Sequence, residues 1–370
     1  MENDCSVIAD RNHSIDQPGS VRPGEELNEL RLLSYLRERI PGLEGSFSSE
    51  QFPAGFSNLT YLLRVGDREF VLRRPPRGAK IKTAHDMGRE YRILSALHPV
   101  YKKVPRPLFF CQNESVLGAP FFVMERITGV ILRNVPPKGV ELSAAVMHAL
   151  AEAFVENLVG IHEVNYEAAG LSDLGQPAGY VQRQIEGWTK RYVNARTDDV
   201  PQIERLAAWL SNHLPADSQV SALIHNDYKY DNLVLAANDL TEVLAVLDWE
   251  MATIGDPLMD LGTTLGYWVD PEDSEEWQRF GFGLTRLPGN LRRREVFEHY
   301  LKRREGLVSD PVFYYAYGLL KIAVIVQQIY FRYRAGLTKD RRFSELDQLV
   351  QACGNQALRA LEKQRIDSLG

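Results

Sequence analysis

The 370-residue chain predicts an α+β protein of two lobes, a small one built on a mixed β-sheet and a larger, mostly helical one behind it. Three observations carry that reading. Residues 51–125 hold apolar runs of strand length punctuated by turn residues; from Val140 onward the period turns helical. A hairpin signal then interrupts the helical half, with Asn232–Leu235 and Val243–Leu247 flanking a polar turn at 236–241. The expected limits are a mobile tail over 1–24, a first lobe over 25–125 and a second over 126–370.

The elements follow in order. Residues 1–24 carry Pro18, Gly19, Pro23 and Gly24, show no periodicity, and lack the apolar centre of a signal peptide. Leu27, Leu30, Leu32, Leu33 and Leu36 recur at helical spacing up to Arg39, and Pro41-Gly42 ends the run. QFPAGFSNLTYLLRV and REFVLRR read as strands joined by Gly66-Asp67, a hairpin turn. A helix over Ala84–Leu97 follows, with Tyr91, Leu94 and Leu97 on one face. Val104–Pro107 opens another strand region, and Pro120–Glu125 (PFFVME) is an apolar strand. Helices are expected at Glu141–His162, Tyr180–Tyr192, Gln202–Leu214, Arg292–Arg304, Pro311–Arg334 and Phe343–Ile366. The longest apolar stretch, Val312–Ile329, is broken by Lys321 and Gln327-Gln328. It reads as a core helix, since a spanning helix needs about 20 mostly apolar residues.

Composition excludes several functions. An apolar share of 44% with 25% charged residues fits an ordinary soluble globular protein. The net charge of −6 opposes nucleic-acid binding, which needs a basic excess. Cys5, Cys111 and Cys353 are far apart and form neither a metal pattern nor a disulfide framework, which suits a cytoplasmic protein. No membrane or nucleic-acid partner is therefore expected.

The chemistry concentrates in residues 222–261, ALIHNDYKYDNLVLAANDLTEVLAVLDWEMATIGDPLMDL. The hairpin would gather Asp227, Asn232 and Asp248 at one end of its sheet. Phosphoryl transfer needs that grouping: a carboxylate to orient or deprotonate a hydroxyl, and hard oxygen donors to hold Mg²⁺ against phosphates. Asp227 is accordingly the expected base, with Asn232 and Asp248 as metal ligands. Lys229 stands where it could meet the transferring phosphate or face solvent; His225 is expected to brace the loop. The H-x-D-x-K-x-x-N spacing with an Asp closing the next strand matches the catalytic loop of kinases.

The LDWE and GDPLMDL segments around that loop resemble the aminoglycoside phosphotransferase and choline kinase group of protein-kinase-like enzymes. The resemblance runs from about Phe52 to Gly336. V-L-R-R-P, A-H-x-x-x-R-E-Y, H-N-D-Y-K-x-D-N and I-Y-x-R-Y-x-A-G are most similar to the kinase-like domain fused to acyl-CoA dehydrogenases in animals, and to its free-standing bacterial relatives. It implies a bilobal kinase-like fold using ATP and Mg²⁺ to phosphorylate a small-molecule hydroxyl, that of a hydroxylated metabolite, for example an acyl thioester, more readily than that of an antibiotic. It further implies a phosphate-covering loop at Gly55, Ser57 and Asn58. Arg73 stands where the family has a Lys on the α- and β-phosphates, and Glu90 would be its partner. The hinge to the adenine would fall at Met124, Glu125 and Arg126. Asp256 and Asp260 would buttress the catalytic loop. A protein kinase is disfavoured, because no A-P-E element follows Asp248. A catalytically dead nucleotide-binding scaffold and an aminoglycoside kinase stay open; the acidic run Asp270, Glu272, Asp273, Glu275 and Glu276 could attract a cationic acceptor, or simply be solvated.

Overall fold

The computed structural model describes residues 16–52, 58–76, 86–216, 220–304, 307, 310–338 and 340–370. The first lobe is a five-stranded sheet of β1 (Phe47–Gln51), β2 (Leu59–Val65), β3 (Arg68–Arg74), β4 (Pro107–Cys111) and β5 (Phe121–Glu125), in the order β1-β2-β3-β5-β4. Every pairing is antiparallel, so the mixed sheet expected from the sequence is corrected. β1 was not expected. Its sequence, FSSEQ, is mostly polar because an edge strand buries little, here only Gln51 fully. The β2–β3 turn needs Gly66, whose φ is +60°; a β-carbon there would lie 2.6 Å from the Glu44 carbonyl oxygen.

Helix α1 (Glu29–Arg39) starts where Asn28 accepts a hydrogen bond from the Arg31 N–H. Leu32 and Leu36 pack with Tyr61, Leu63, Leu72 and Phe121 on one face of the sheet, whereas Leu30 is left 85% exposed. Helix α2 (Met87–Leu97) covers the other face through Ile93, Leu94 and Leu97. Ala84 and His85, its expected start, lie outside the described residues. The expected mobile tail is corrected over residues 16–24. Gly19 pairs with Gln51 across the sheet edge, and the Asp16 N–H donates to the Gly129 carbonyl at 3.2 Å.

The sheet ends at Glu125, and Val130 already exchanges two backbone hydrogen bonds with Leu235 of the second lobe. That lobe holds α3 (Ala144–His162), α4 (Tyr180–Ala195), α5 (Pro201–Asn212), α6 (Pro257–Gly266), α7 (Arg293–Arg303), α8 (Pro311–Arg334) and α9 (Leu346–Lys363). Helix α8 is its axis, packed against α4, α6 and α9. Helices α3 and α8 are long and apolar enough to cross a membrane, but most of the α8 window is buried inside the lobe, as its core-helix reading expects. Helices α6 and α8 touch backbone to backbone. A β-carbon on Gly262 would sit 2.2 Å from the Tyr314 carbonyl oxygen, and one on Gly318 would sit 2.0 Å from that of Gly262. Any larger residue would push these helices apart.

Two nested antiparallel pairs carry the polar segment: β6 (Ala222–Ile224) with β9 (Thr253–Gly255), and inside them β7 (Leu233–Leu235) with β8 (Val243–Val246). The inner pair is the expected hairpin. The outer pair, absent from the sequence reading, closes residues 225–232 and 247–252 into one compact cluster.

Candidate active site

The nested strands bring Asp227, Asn232 and Asp248 to one end of the hairpin. The Leu247 N–H donates to the Asn232 carbonyl at 2.8 Å, which sets the two metal-ligand candidates side by side in the backbone. The Asn232 side-chain N–H₂ donates to the Asp227 backbone oxygen at 2.8 Å and to its Oδ2 at 3.0 Å. The amide oxygen of Asn232 is thereby left as the atom available to a cation. Asp248 follows β8 with φ +66°, a left-handed turn that lifts its carboxylate off the strand line. A carboxylate and an amide oxygen are the hard donors Mg²⁺ takes, with phosphate and water completing its shell. The residues fit that ion.

Arg73 reaches the same cluster from β3. It is 8% exposed, so it is no solvated strand-end cation. Its Nη1 donates to Glu90 Oε1 on α2, its Nη2 to Asp248 Oδ1 at 2.9 Å, and Glu250 Oε2 lies 3.7 Å away. Burial would lower the Arg73 pKa, but the Glu90, Asp248 and Glu250 charges outweigh it and hold the guanidinium above its usual value. Glu90 is pushed up by burial against the pull of Arg73. Burial also works to raise Asp248, yet the charge and hydrogen bond of Arg73 bring it below the usual carboxylate range. The Arg73 Nε is buried and has no hydrogen-bond partner among the described residues, which leaves it an unused donor.

Glu250 was not singled out from the sequence, although it stands in the LDWE segment. It accepts from the Asn58 side-chain nitrogen, which ties the end of the phosphate-covering segment to the second lobe. Burial, then the Asp248 charge, push its pKa up. Arg89 on α2 adds a second tie, donating to the Glu250 and Ala252 carbonyls at 3.1 and 2.8 Å. Gly55 and Ser57 lie outside the described residues. At the expected hinge, Met124 is buried in β5. The Glu125 N–H is already committed to the Arg106 carbonyl at 2.9 Å, and the Arg126 guanidinium donates to Glu69 at 2.6 Å. The Glu125 N–H thus already has a partner within the first lobe.

Lys229 is partly buried and is not free. Its ammonium donates to both Asp227 oxygens, at 2.8 and 2.7 Å, and stands 4.6 Å from the centre of the Tyr267 ring. Burial would depress the Lys229 pKa, but the Asp227 charge dominates and raises it. His225 braces the loop as expected: its Nε2 donates to the Leu247 carbonyl at 2.9 Å and its Nδ1 accepts the Asp227 N–H at 3.2 Å. Asp260 accepts the backbone N–H groups of His225 and Asn226, both at 2.7 Å, and Asp256 caps α6 through the Leu258 N–H.

Beside this cluster lies a cavity of about 330 Å³. Lys229 and Asp231 border it, and its walls are mainly apolar: Phe154, Tyr267, Trp268, Ile322, Ile325 and Leu349 among others. The acidic run does not open toward it as a charged funnel. The Asp273 carboxylate clamps the buried Arg293 guanidinium, with Asp270 3.3 Å from the same group, while Glu272 pairs with Arg292. The cationic-acceptor reading of that run is corrected: its two buried carboxylates are internal counter-ions.

Fold and site together define a phosphotransferase scaffold. The chain belongs to the phosphotransferase enzyme family, whose model matches residues 48–296. It is 33% identical over 322 residues to human acyl-CoA dehydrogenase family member 11, covering 85% of this chain and 41% of that protein. It is 34% identical over 325 residues to mouse acyl-CoA dehydrogenase family member 10, covering 86% of this chain and 30% of the other. The chain thus spans less than half the length of these relatives. Among solved structures, a Ralstonia eutropha protein of aminoglycoside phosphotransferase type superposes with a TM-score of 0.76 at 29% identity, covering 91% of this chain and 99% of that one.

Arg73 gives the first test. Arg73→Ala should weaken ATP binding by about tenfold or more, the scale of a lost charge-assisted contact. Arg73→Lys should recover only part of it, because an ammonium cannot reproduce the planar fork. Calorimetry at saturating Mg²⁺ reads both; an Arg73→Ala protein with wild-type affinity would remove this residue from the phosphate site.

Proposed function

We propose that the protein is an ATP- and Mg²⁺-dependent phosphotransferase that moves the γ-phosphate to a hydroxyl of a small molecule bearing an apolar chain, such as a hydroxylated acyl thioester. The observation that carries this reading is the continuity of Asp227, Lys229 and the cavity: the lysine that grips both Asp227 oxygens also borders an apolar chamber large enough for a chain.

In this reading the acceptor hydroxyl lies against Asp227 with its chain in the cavity. Its oxygen forms the new bond to the γ-phosphorus, the bond to the β–γ bridging oxygen breaks, ADP departs, and the hydroxyl proton passes to Asp227. Lys229 pairs with the equatorial oxygens as charge shifts onto them. Arg73, fixed by Glu90, grips the inner phosphates. Asp248 and Asn232 would hold Mg²⁺, which supplies charge neutralisation at the phosphates. A polycationic aminoglycoside is a poor match for apolar walls.

An ADP-release screen tests this, with hydroxylated acyl-CoAs of graded chain length, the free hydroxy acids and aminoglycosides as acceptors. Mg²⁺-dependent ADP release with an aliphatic hydroxyl compound is expected. Stimulation by aminoglycosides alone would overturn the acceptor class, and no acceptor-dependent release would overturn the reaction.

A further inference from the structure

Lys321 is a lysine in the middle of a core helix, 1% exposed, and the reaction above does not use it. Burying an ammonium is costly unless its donors are matched, and here they are. The Nζ donates to the Asn226 backbone oxygen at 2.7 Å and to its side-chain oxygen at 3.0 Å, with Thr263 Oγ1 at 3.5 Å. Both strong acceptors belong to the residue immediately before Asp227.

Asn226 is held in an uncommon backbone conformation, with φ +68°. Its N–H donates to Asp260 Oδ1 at 2.7 Å and its side-chain nitrogen to the Met251 carbonyl at 3.1 Å. Every polar atom of Asn226 is therefore fixed, and Lys321 fixes two of them. The peptide unit joining Asn226 to Asp227 is pinned at both ends: its oxygen by Lys321, its N–H by His225 Nδ1 at 3.2 Å. That plane sets the direction in which Asp227 leaves the chain. The backbone contact of Gly262 with Gly318 is what lets α8 approach closely enough for Lys321 to reach it.

We propose that Lys321 is a positioning residue for phosphoryl transfer, an internal cation on α8 that locks the Asn226–Asp227 peptide so that the Asp227 carboxylate faces the acceptor hydroxyl. The proposal rests on the functional reading above for its kinetic consequence, though not for its geometric one. Because α8 also supplies Ile322 and Ile325 to the cavity wall, one helix fixes both the acceptor chain and the carboxylate that meets it.

The charged groups acting on Lys321 are Asp260 on α6, Asp227 and Lys229 in the loop and Arg191 on α4, while Tyr180 on α4, His225 in the loop and Tyr317 on α8 are buried titratable groups that feel the same Asp260 charge. Burial lowers the Lys321 pKa to about 8, against the pull of Asp260 and Asp227. The same burial raises Tyr180 and Tyr317, the Asp227 charge raises Lys229, and burial lowers His225, so these four titrate away from that value.

The test replaces Lys321 with Met, an unbranched side chain one heavy atom shorter that removes the charge and all three donors. In Lys321→Met, kcat should fall by about tenfold or more, the scale of a displaced reacting group, with the KM for ATP held within about twofold. Wild-type kcat should decline above about pH 8 as Lys321 loses its proton, and the variant should lack that limb. Crystal structures should show the Asn226–Asp227 peptide rotated in the variant. Should Lys321→Met fail to fold, Lys321→Gln, which keeps two N–H donors without charge, should show a smaller kcat loss and the same missing limb. Wild-type kcat in a folded variant, an unmoved peptide, or an equal loss of ATP affinity would each overturn the proposal. If no acceptor supports turnover, the functional reading fails by itself and the crystallographic comparison still decides the role of Lys321.

Discussion

Asp227→Asn is expected to leave ATP affinity near wild type while kcat falls by about a hundredfold or more, the scale of lost general-base assistance. Asparagine keeps the size of the side chain and one oxygen for Lys229 and the Asn232 amide, but it cannot take a proton. The nucleotide contacts should survive, since Arg73, Asn232 and Asp248 reach the cluster along separate elements. Lys229 loses its counter-ion, so the melting temperature should drop modestly. Two titrations on one variant decide the matter: nucleotide binding by calorimetry, and ADP release with the best acceptor found. A collapse of affinity with kcat preserved at saturating ATP would move Asp227 to the nucleotide side.

The parts of this site legible in the sequence are those built over short spans. His225, Asp227, Asn232 and Asp248 lie within two dozen residues, and a hairpin of ordinary length must bring them together. The fold class came from the same local periods. What escaped is what depends on contacts between distant segments. Lys321 meets Asn226 from 95 residues away, and in sequence it reads only as a polar break in an apolar run. Glu250 gains its place because Asn58 arrives from the other lobe, 192 residues away. The acidic run at 270–276 looks solvated until Arg293 folds back onto it. β1 escaped for another reason: an edge strand with a polar face carries no apolar alternation to find. The cavity is invisible in principle, since residues from α3, α6, α8, α9 and the loops between them converge on it.

Asp248 tests the metal, and its backbone decides which variant to use. With φ +66° the position suits Asn, whose short polar side chain tolerates the left-handed region; Ala there would add strain of about 1 kcal/mol. Alanine would also strip Arg73 of a hydrogen-bond acceptor, confounding metal loss with a disturbed phosphate site. Asp248→Asn avoids both. It can keep an oxygen toward the Arg73 Nη2, now 2.9 Å from Oδ1, and removes only the negative charge. Glu90 and Glu250 still neutralise the guanidinium, so the fold should hold and the melting temperature should stay close to wild type. A neutral amide is a poor substitute for the one carboxylate expected to bind the cation directly. Metal stabilisation of a transferring phosphate is worth several kcal/mol, so turnover should fall by about a hundredfold or more. The variant should also lose the strengthening of ATP binding by Mg²⁺, which calorimetry with and without the ion reads independently of any acceptor. Wild-type turnover and an undiminished Mg²⁺ effect in Asp248→Asn would take the metal away from this residue and make Glu250, the remaining carboxylate on the same turn, the next ligand to replace.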